Sequence, residues 1–121
     1  MLFDAHCHLD FDSFDADREA AFDRAHAAGV SRFMVPGTTR QRWNHVLELS
    51  RRDDVVASLG LHPYFTDEHA DSDLEALADE IGRHESLVGI GECGIDARFE
   101  DTLERQWELF EAQLQLAKQH R

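Results

Sequence analysis

Apolar and polar positions along the chain alternate between two rhythms. Short apolar runs at Leu2–His6, Val30–Val35, Val55–Leu61 and Leu87–Gly91 predict strands. A longer stretch with helical periodicity follows each of them. Asp15–Ala28 is rich in alanine and closed by Gly29, the residue type that suits the position just past a helix end. The second stretch runs from about Arg40 to Arg52, with Trp43, Val46 and Leu47 on one face. The third opens at Ser72, where Glu75 three residues later makes a capping-box pattern, and Leu74, Leu77 and Ile81 supply an apolar stripe. The fourth spans about Asp101 to Gln119, with Leu103, Trp107, Phe110, Leu114 and Ala117 at spacings of four, three, four and three.

Four consecutive β/α units follow from this pattern. The strands are not cleanly alternating, as expected where helices cover a sheet. The connections suit right-handed crossovers and a parallel sheet. No internal repeat, low-complexity tract or linker divides the sequence, so residues 1–121 read as one α/β domain. Two architectures fit: a small open sheet, or half of an eight-stranded (β/α)8 TIM barrel. A complete barrel needs about 250 residues, so this chain cannot close one alone and would account for only a partial barrel. The first and fourth strands would then present unpaired edges, which invite pairing. A homodimer, or association with a missing C-terminal half, is the expectation.

Three short motifs carry the chemistry. Asp4-Ala5-His6-Cys7-His8 ends the first strand. If the strand continues through His8, Asp4, His6 and His8 share a face. His6 and His8 then chelate one metal, with the Asp4 carboxylate orienting a ligand ring. The bland alternative is a pair of solvated histidines in a loop. Gly60-Leu61-His62-Pro63 ends the third strand, and proline stops it there. Taken alone, His62 reads as structural. Gly89-Ile90-Gly91-Glu92-Cys93-Gly94-Ile95-Asp96 follows the fourth strand. Its glycines clear space around Glu92, which could bind one metal or bridge two. The glycine spacing lacks the phosphate-cradling P-loop pattern. Asp96 reads as a turn residue or a partner for Arg98. Convergence decides between these readings: His6, His8, His62 and Glu92 all fall at carboxyl ends of parallel strands, where β/α barrels hold their active sites.

Composition narrows the partners. The formal net charge is −13, and Lys118 is the one lysine beside eleven arginines. That balance argues against tight non-specific duplex binding, which needs cations to neutralise phosphates. It leaves a nucleic-acid substrate open, because a bound divalent cation reverses the field inside a cleft. Cys7 and Cys93 read as small buried fillers rather than a disulfide. No apolar run approaches the roughly 20 residues that span a bilayer, and the first residues lack a signal-peptide pattern. No membrane association and a cytoplasmic location are therefore expected.

Phe3-Asp4-Ala5-His6-Cys7-His8-Leu9-Asp10, Gly60-Leu61-His62-Pro63 and Gly91-Glu92-Cys93-Gly94-Ile95-Asp96 together resemble the TatD family of metal-dependent hydrolases. Gln106, Phe110, Gln113, Leu114, Leu116 and Ala117 extend the resemblance into the last helix. It implies one or two divalent cations (Mg, Mn or Zn) and hydrolysis of phosphodiesters, DNA or another phosphoester. His6 and His8 would bind one metal, Glu92 would be catalytic and bridge to a second, and His62 would lie near the substrate phosphate. Family members are roughly twice as long, and their second half adds two further histidines and an aspartate. The resemblance thus implies a deoxyribonuclease-type enzyme whose short form lacks part of its site. The alternative is a non-catalytic metal-binding or assembly module, a pseudoenzyme.

Overall fold

The four apolar runs form one parallel sheet in chain order, β1 (Leu2–Asp4), β2 (Val30–Pro36), β3 (Val55–Leu59) and β4 (Leu87–Ile90). The computed structural model describes residues 1–120. Helices α1 (Arg18–Ala27), α2 (Arg40–Leu49), α3 (Asp71–Glu80) and α4 (Leu103–Gln119) follow the strands in turn. Tight 3-10 turns at Asp12–Phe14, Pro63–Glu68 and Glu100–Thr102 carry the chain from the sheet rim toward α1, α3 and α4. This is the partial β/α barrel expected from the alternation of rhythms.

Burial organises the sheet around its middle. Phe33 and Val35 on β2, and Val55, Ala57 and Leu59 on β3, are buried with Trp43 and Val46 of α2. Phe22 of α1 meets Phe33 edge-on at 5.0 Å, a favoured aromatic geometry, and the Arg52 guanidinium lies 4.0 Å over its face. Gly29 ends α1 with φ +91°, a conformation that only glycine adopts without strain, and its N–H closes on the His26 carbonyl.

Several boundaries differ from the pattern-based expectation. β1 ends at Asp4, not His6, because the Asp4 carboxylate accepts the His6 N–H at 3.1 Å and turns the chain. α1 begins at Arg18 rather than Asp15, after the 3-10 turn. α3 starts at Asp71, and the bond that holds its start runs from the Ala70 N–H to Asp73, not between Ser72 and Glu75. The larger correction concerns α4. Its buried residues are Gln106, Leu109 and Gln113, while Trp107 and Leu114 are exposed. The helix is rotated from the apolar stripe because the two glutamines are required underneath it, as the site makes plain.

Candidate metal centre

The ends of the four strands are laced together by main-chain bonds. The Cys7 N–H donates to the Met34 carbonyl and returns the opening segment to β2. The Gly91 N–H donates to Leu59, and the Glu92 N–H to Gly37, so the segment after β4 crosses over β3 to the end of β2. The Gly91–Glu92 peptide is cis. Gly60 makes this crossing feasible: a Cβ there would lie 2.6 Å from Gly91 Cα and 2.8 Å from the Glu92 carbonyl oxygen. The His62 N–H donates to Thr38, fixing the segment after β3 as well.

The two buried glutamines of α4 complete the lacing. Gln113 accepts the Leu61 N–H at 2.8 Å and donates to the Leu61 and Leu109 carbonyls. Gln106 accepts the Asp96 N–H at 2.7 Å and donates to Asp96, Phe99 and Thr102. Each amide satisfies backbone groups that a loop would otherwise leave unpaired beneath a helix. One glutamine positions the peptide before His62; the other holds the segment after Glu92.

His6, His8 and Glu92 meet in this frame. Three strand spacings separate β1 from β4, about 14 Å in a flat sheet. Yet Glu92 Oε2 sits 3.3 Å from His6 Nε2 and 3.1 Å from His8 Nε2, and the two imidazole nitrogens are 3.2 Å apart. The sheet is curved enough for its outer strands to share one lip. Glu92 Oε2 is buried and makes no hydrogen bond there. Two imidazole nitrogens and an unpartnered carboxylate oxygen converging on one point fit a divalent cation of the Zn, Mn or Mg group.

His62 joins the cluster without being one of the three. Its Nδ1 accepts the Tyr64 N–H at 2.9 Å, so the ring proton resides on Nε2, which faces Glu92 Oε1 at 2.9 Å. His69 donates from Nε2 to the His62 carbonyl at 2.8 Å. Burial pushes the His69 pKa down and keeps its ring neutral.

Asp10 ends the first stretch that carries the family resemblance and lies behind the cluster. Its side chain is fully buried, 3.8 Å from His8 Nδ1 and 3.7 Å from Arg42 Nε. Asp10, and secondly Glu92, raise the His8 pKa against the opposing cost of burial. Asp10, not Asp4, is thus the carboxylate that faces His8 Nδ1, at a distance beyond a hydrogen bond, while one Asp4 oxygen is engaged by the His6 main chain. The signal was present: a carboxylate two residues past His8, in a segment that must fold back under it.

The remaining motif residues fall as expected. Asp96 binds the Arg98 guanidinium at 2.6 Å and stays outside the cluster. Cys7 and Cys93 are free and half-buried, and burial raises both thiols, Cys7 to about 11. Neither has the character of a nucleophile or an anionic ligand.

Residues 3–121 match the family described as TatD related DNase. The "Uncharacterized metal-dependent hydrolase YjjV" of Escherichia coli K12 is 40% identical over 122 residues, covering 98% of this chain and 47% of the relative. A "3'-5' ssDNA/RNA exonuclease TatD" of Pectobacterium atrosepticum is 34% identical over 119 residues, 45% of its length. The crystal structure of the E. coli YjjV protein superposes with a TM-score of 0.93 at 39% identity, covering 98% of this chain and 47% of that one. The chain therefore spans about half the length of the curated relatives it matches.

Proposed function

The chain belongs to the TatD-related DNase family, and from that premise we propose that it is the N-terminal half of a divalent-metal-dependent phosphodiesterase acting on DNA or a related single-stranded nucleic acid. The observation that carries this reading is the convergence of His6, His8 and the unpartnered Glu92 oxygen on one point of the sheet rim. These three residues hold the cation, with Glu92 presenting its second oxygen toward His62. When bound, a divalent cation activates water and stabilises the negative charge that builds on a phosphoryl group in hydrolysis. His62, protonated on Nε2, donates a hydrogen bond to a phosphate oxygen that displaces Glu92 as its partner. The buried Asp10 carboxylate supplies negative charge behind the His8 ring.

The rest of the site belongs to β/α units beyond this chain. Exposed apolar residues occupy the surfaces such units would cover: Leu2 and Phe3 on β1, Val88 on β4, Trp107 and Leu114 on α4. A C-terminal half, or a second copy of this chain, buries them in the assembled state. No helix among the described residues is long and apolar enough to cross a membrane. The two free thiols suit a reducing compartment, so the proposal places the protein in the cytoplasm.

Metal titration calorimetry on the chain and on His6→Ala and His8→Ala tests the centre. Each substitution should weaken binding by roughly tenfold or more. Unchanged affinity in both would remove the metal assignment. Degradation of a labelled single-stranded oligonucleotide is then measured with the chain alone and with the missing β/α units supplied. Cleavage is expected from the completed barrel. Metal binding without cleavage there would favour the non-catalytic metal-binding module instead.

A further inference from the structure

His8 lacks the main-chain tie that steadies its two neighbours in the cluster. Glu92 is bonded to Gly37, and His6 lies between β1 and Cys7, whose N–H donates to Met34. After Cys7, no main-chain bond among the described residues ties residues 8–12 to the sheet. Two arginines from different helices hold the chain there instead. Arg18 opens α1, and Arg42 lies in the first turn of α2. Arg18 donates from Nε to the Leu9 carbonyl at 2.6 Å and from Nη2 to the Phe11 carbonyl at 3.0 Å. Arg42 donates from Nη2 to the Asp10 carbonyl. Consecutive carbonyls of an irregular segment are thus taken by two guanidinium groups. Each group is anchored in turn on an exposed carboxylate, Arg18 on Asp15 at 2.6 Å and Arg42 on Asp12 at 2.8 Å. A planar fork with several fixed donors suits such bridging, whereas an ammonium group is a single point of charge.

The clamped segment reaches the His8 ring from two directions. Phe11, whose N–H donates to the His8 carbonyl, stacks on the ring with centroids 4.8 Å apart and planes 23° apart. The Arg42 guanidinium lies 5.3 Å from the Phe11 ring centroid. Asp10 faces His8 Nδ1 at 3.8 Å and Arg42 Nε at 3.7 Å. Those two nitrogens and both Asp10 oxygens are buried without a hydrogen-bond partner. No side-chain bond therefore fixes the Asp10 carboxylate behind His8. Its place follows from its main chain, and the Arg42 bond to its carbonyl sets that main chain.

We propose that Arg18 and Arg42 are positioning residues of the metal centre: by clamping Leu9–Phe11 they fix the His8 ring, one of the three groups that converge on the cation. The proposal rests on the metal-centre reading and gives the first turns of α1 and α2 a part in it. Because the clamp acts through the fork, lysine does not replace arginine at either position, although it keeps the positive charge beside the segment.

The test compares Arg18→Lys and Arg42→Lys with two controls. Val46→Ala empties part of the core beneath α2 without touching a polar group, and Arg51→Lys alters a surface arginine paired with Glu48. Histidine ring resonances are recorded by NMR on each metal-free chain, Zn²⁺ affinity is measured by calorimetry, and stability is read from the denaturant midpoint. Both clamp variants should move the His8 ring resonances while those of His26 and His84, which pair with Asp54 and Glu80, stay in place. Each should also weaken Zn²⁺ binding roughly tenfold. Val46→Ala should lose more stability than either, with its His8 resonances and Zn²⁺ affinity unchanged, and Arg51→Lys should change none of the three. Unmoved His8 resonances in both clamp variants overturn the proposal. So does a Val46→Ala chain that loses Zn²⁺ affinity as the clamp variants do, since general loosening would then explain the loss. Because the ring resonances need no metal, failure of the unmodified chain to bind Zn²⁺ counts against the metal centre alone, and unmoved His8 resonances count against the clamp alone.

Discussion

The two inner strands and the two outer strands do different work. On β2 and β3, Val35 and Ala57 are fully buried; on β1 and β4, Leu2, Phe3 and Val88 remain more than half exposed. Stability therefore resides in the middle of the sheet. The groups that converge on the candidate metal centre come from its margins: His6 and His8 follow β1, and Glu92 follows β4. Marginal strands hold these side chains in place because their ends are tied to the centre. Cys7 is bonded to Met34, Glu92 to Gly37, and Gly91 to Leu59. Chemistry on weakly buried strands is made rigid by main-chain bonds to strongly buried ones.

The sharpest way to break this contrast uses one residue type at two places. Phe33 on β2 is 1% exposed and Phe3 on β1 is 54% exposed. Phe33→Ala should cost about 3–5 kcal/mol in denaturant unfolding, through lost burial and the cavity left behind. Phe3→Ala should fall within about 0.5 kcal/mol. Comparable costs would mean that the outer strands carry core weight in the isolated chain. Next in size is Gly60→Val, which places atoms where the Gly91 and Glu92 main chain now passes. Glu92 should be pushed from the histidines, lowering metal affinity roughly 10–100-fold by calorimetry. Retained affinity would show that the lip tolerates movement of the crossing segment.

How far the sequence revealed this arrangement depends on the physical signal at each place. The four units were legible because apolar runs and helical spacing reflect burial, which dominates β2, β3 and α2. The meeting of His6, His8, His62 and Glu92 on one rim was legible because strand ends in parallel sheets are predictable positions for side chains that share a rim. The apolar stripe on α4 misled. Trp107 and Leu114 have helical spacing but face away from the sheet, and the glutamines that face it look like surface residues by composition. A buried amide chosen for hydrogen bonds to loops has no periodic signature. The burial of Asp10 was hidden for a related reason: it follows from the fold-back of the segment after His8, which depends on long-range contacts with Arg42.

That glutamine lacing supplies the third contrast. Gln113→Met keeps the volume and the helix but strips the Leu61 N–H and carbonyl of their partner. The expected loss is about 1–2 kcal/mol of stability, the cost of leaving buried main-chain groups unpaired. If Gln113 acts by positioning, the variant should also change the environment of the His62 ring, read as altered ring chemical shifts. A stability loss with unmoved His62 resonances would confine Gln113 to packing.

The smallest expected effect separates the metal-centre rim from the loop just beyond it. Asp96 follows Glu92 by four residues, yet its carboxylate is taken up by Arg98 through the side chain and the main-chain N–H. Those bonds hold its pKa at about 2, well below the ordinary carboxylate value. A carboxyl whose pKa is lowered on folding favours the folded state above its unfolded value, near 4, and that contribution disappears as pH falls through about 2. Carboxyl carbon shifts followed against pH should place the Asp96 midpoint near that lower value, and Arg98→Ala should return it toward the ordinary range. The same substitution should leave metal affinity where it was, because Asp96 lies outside the cluster of His6, His8 and Glu92. A fall in metal affinity on losing Arg98 would extend the centre beyond the rim and give the loop after β4 a second role.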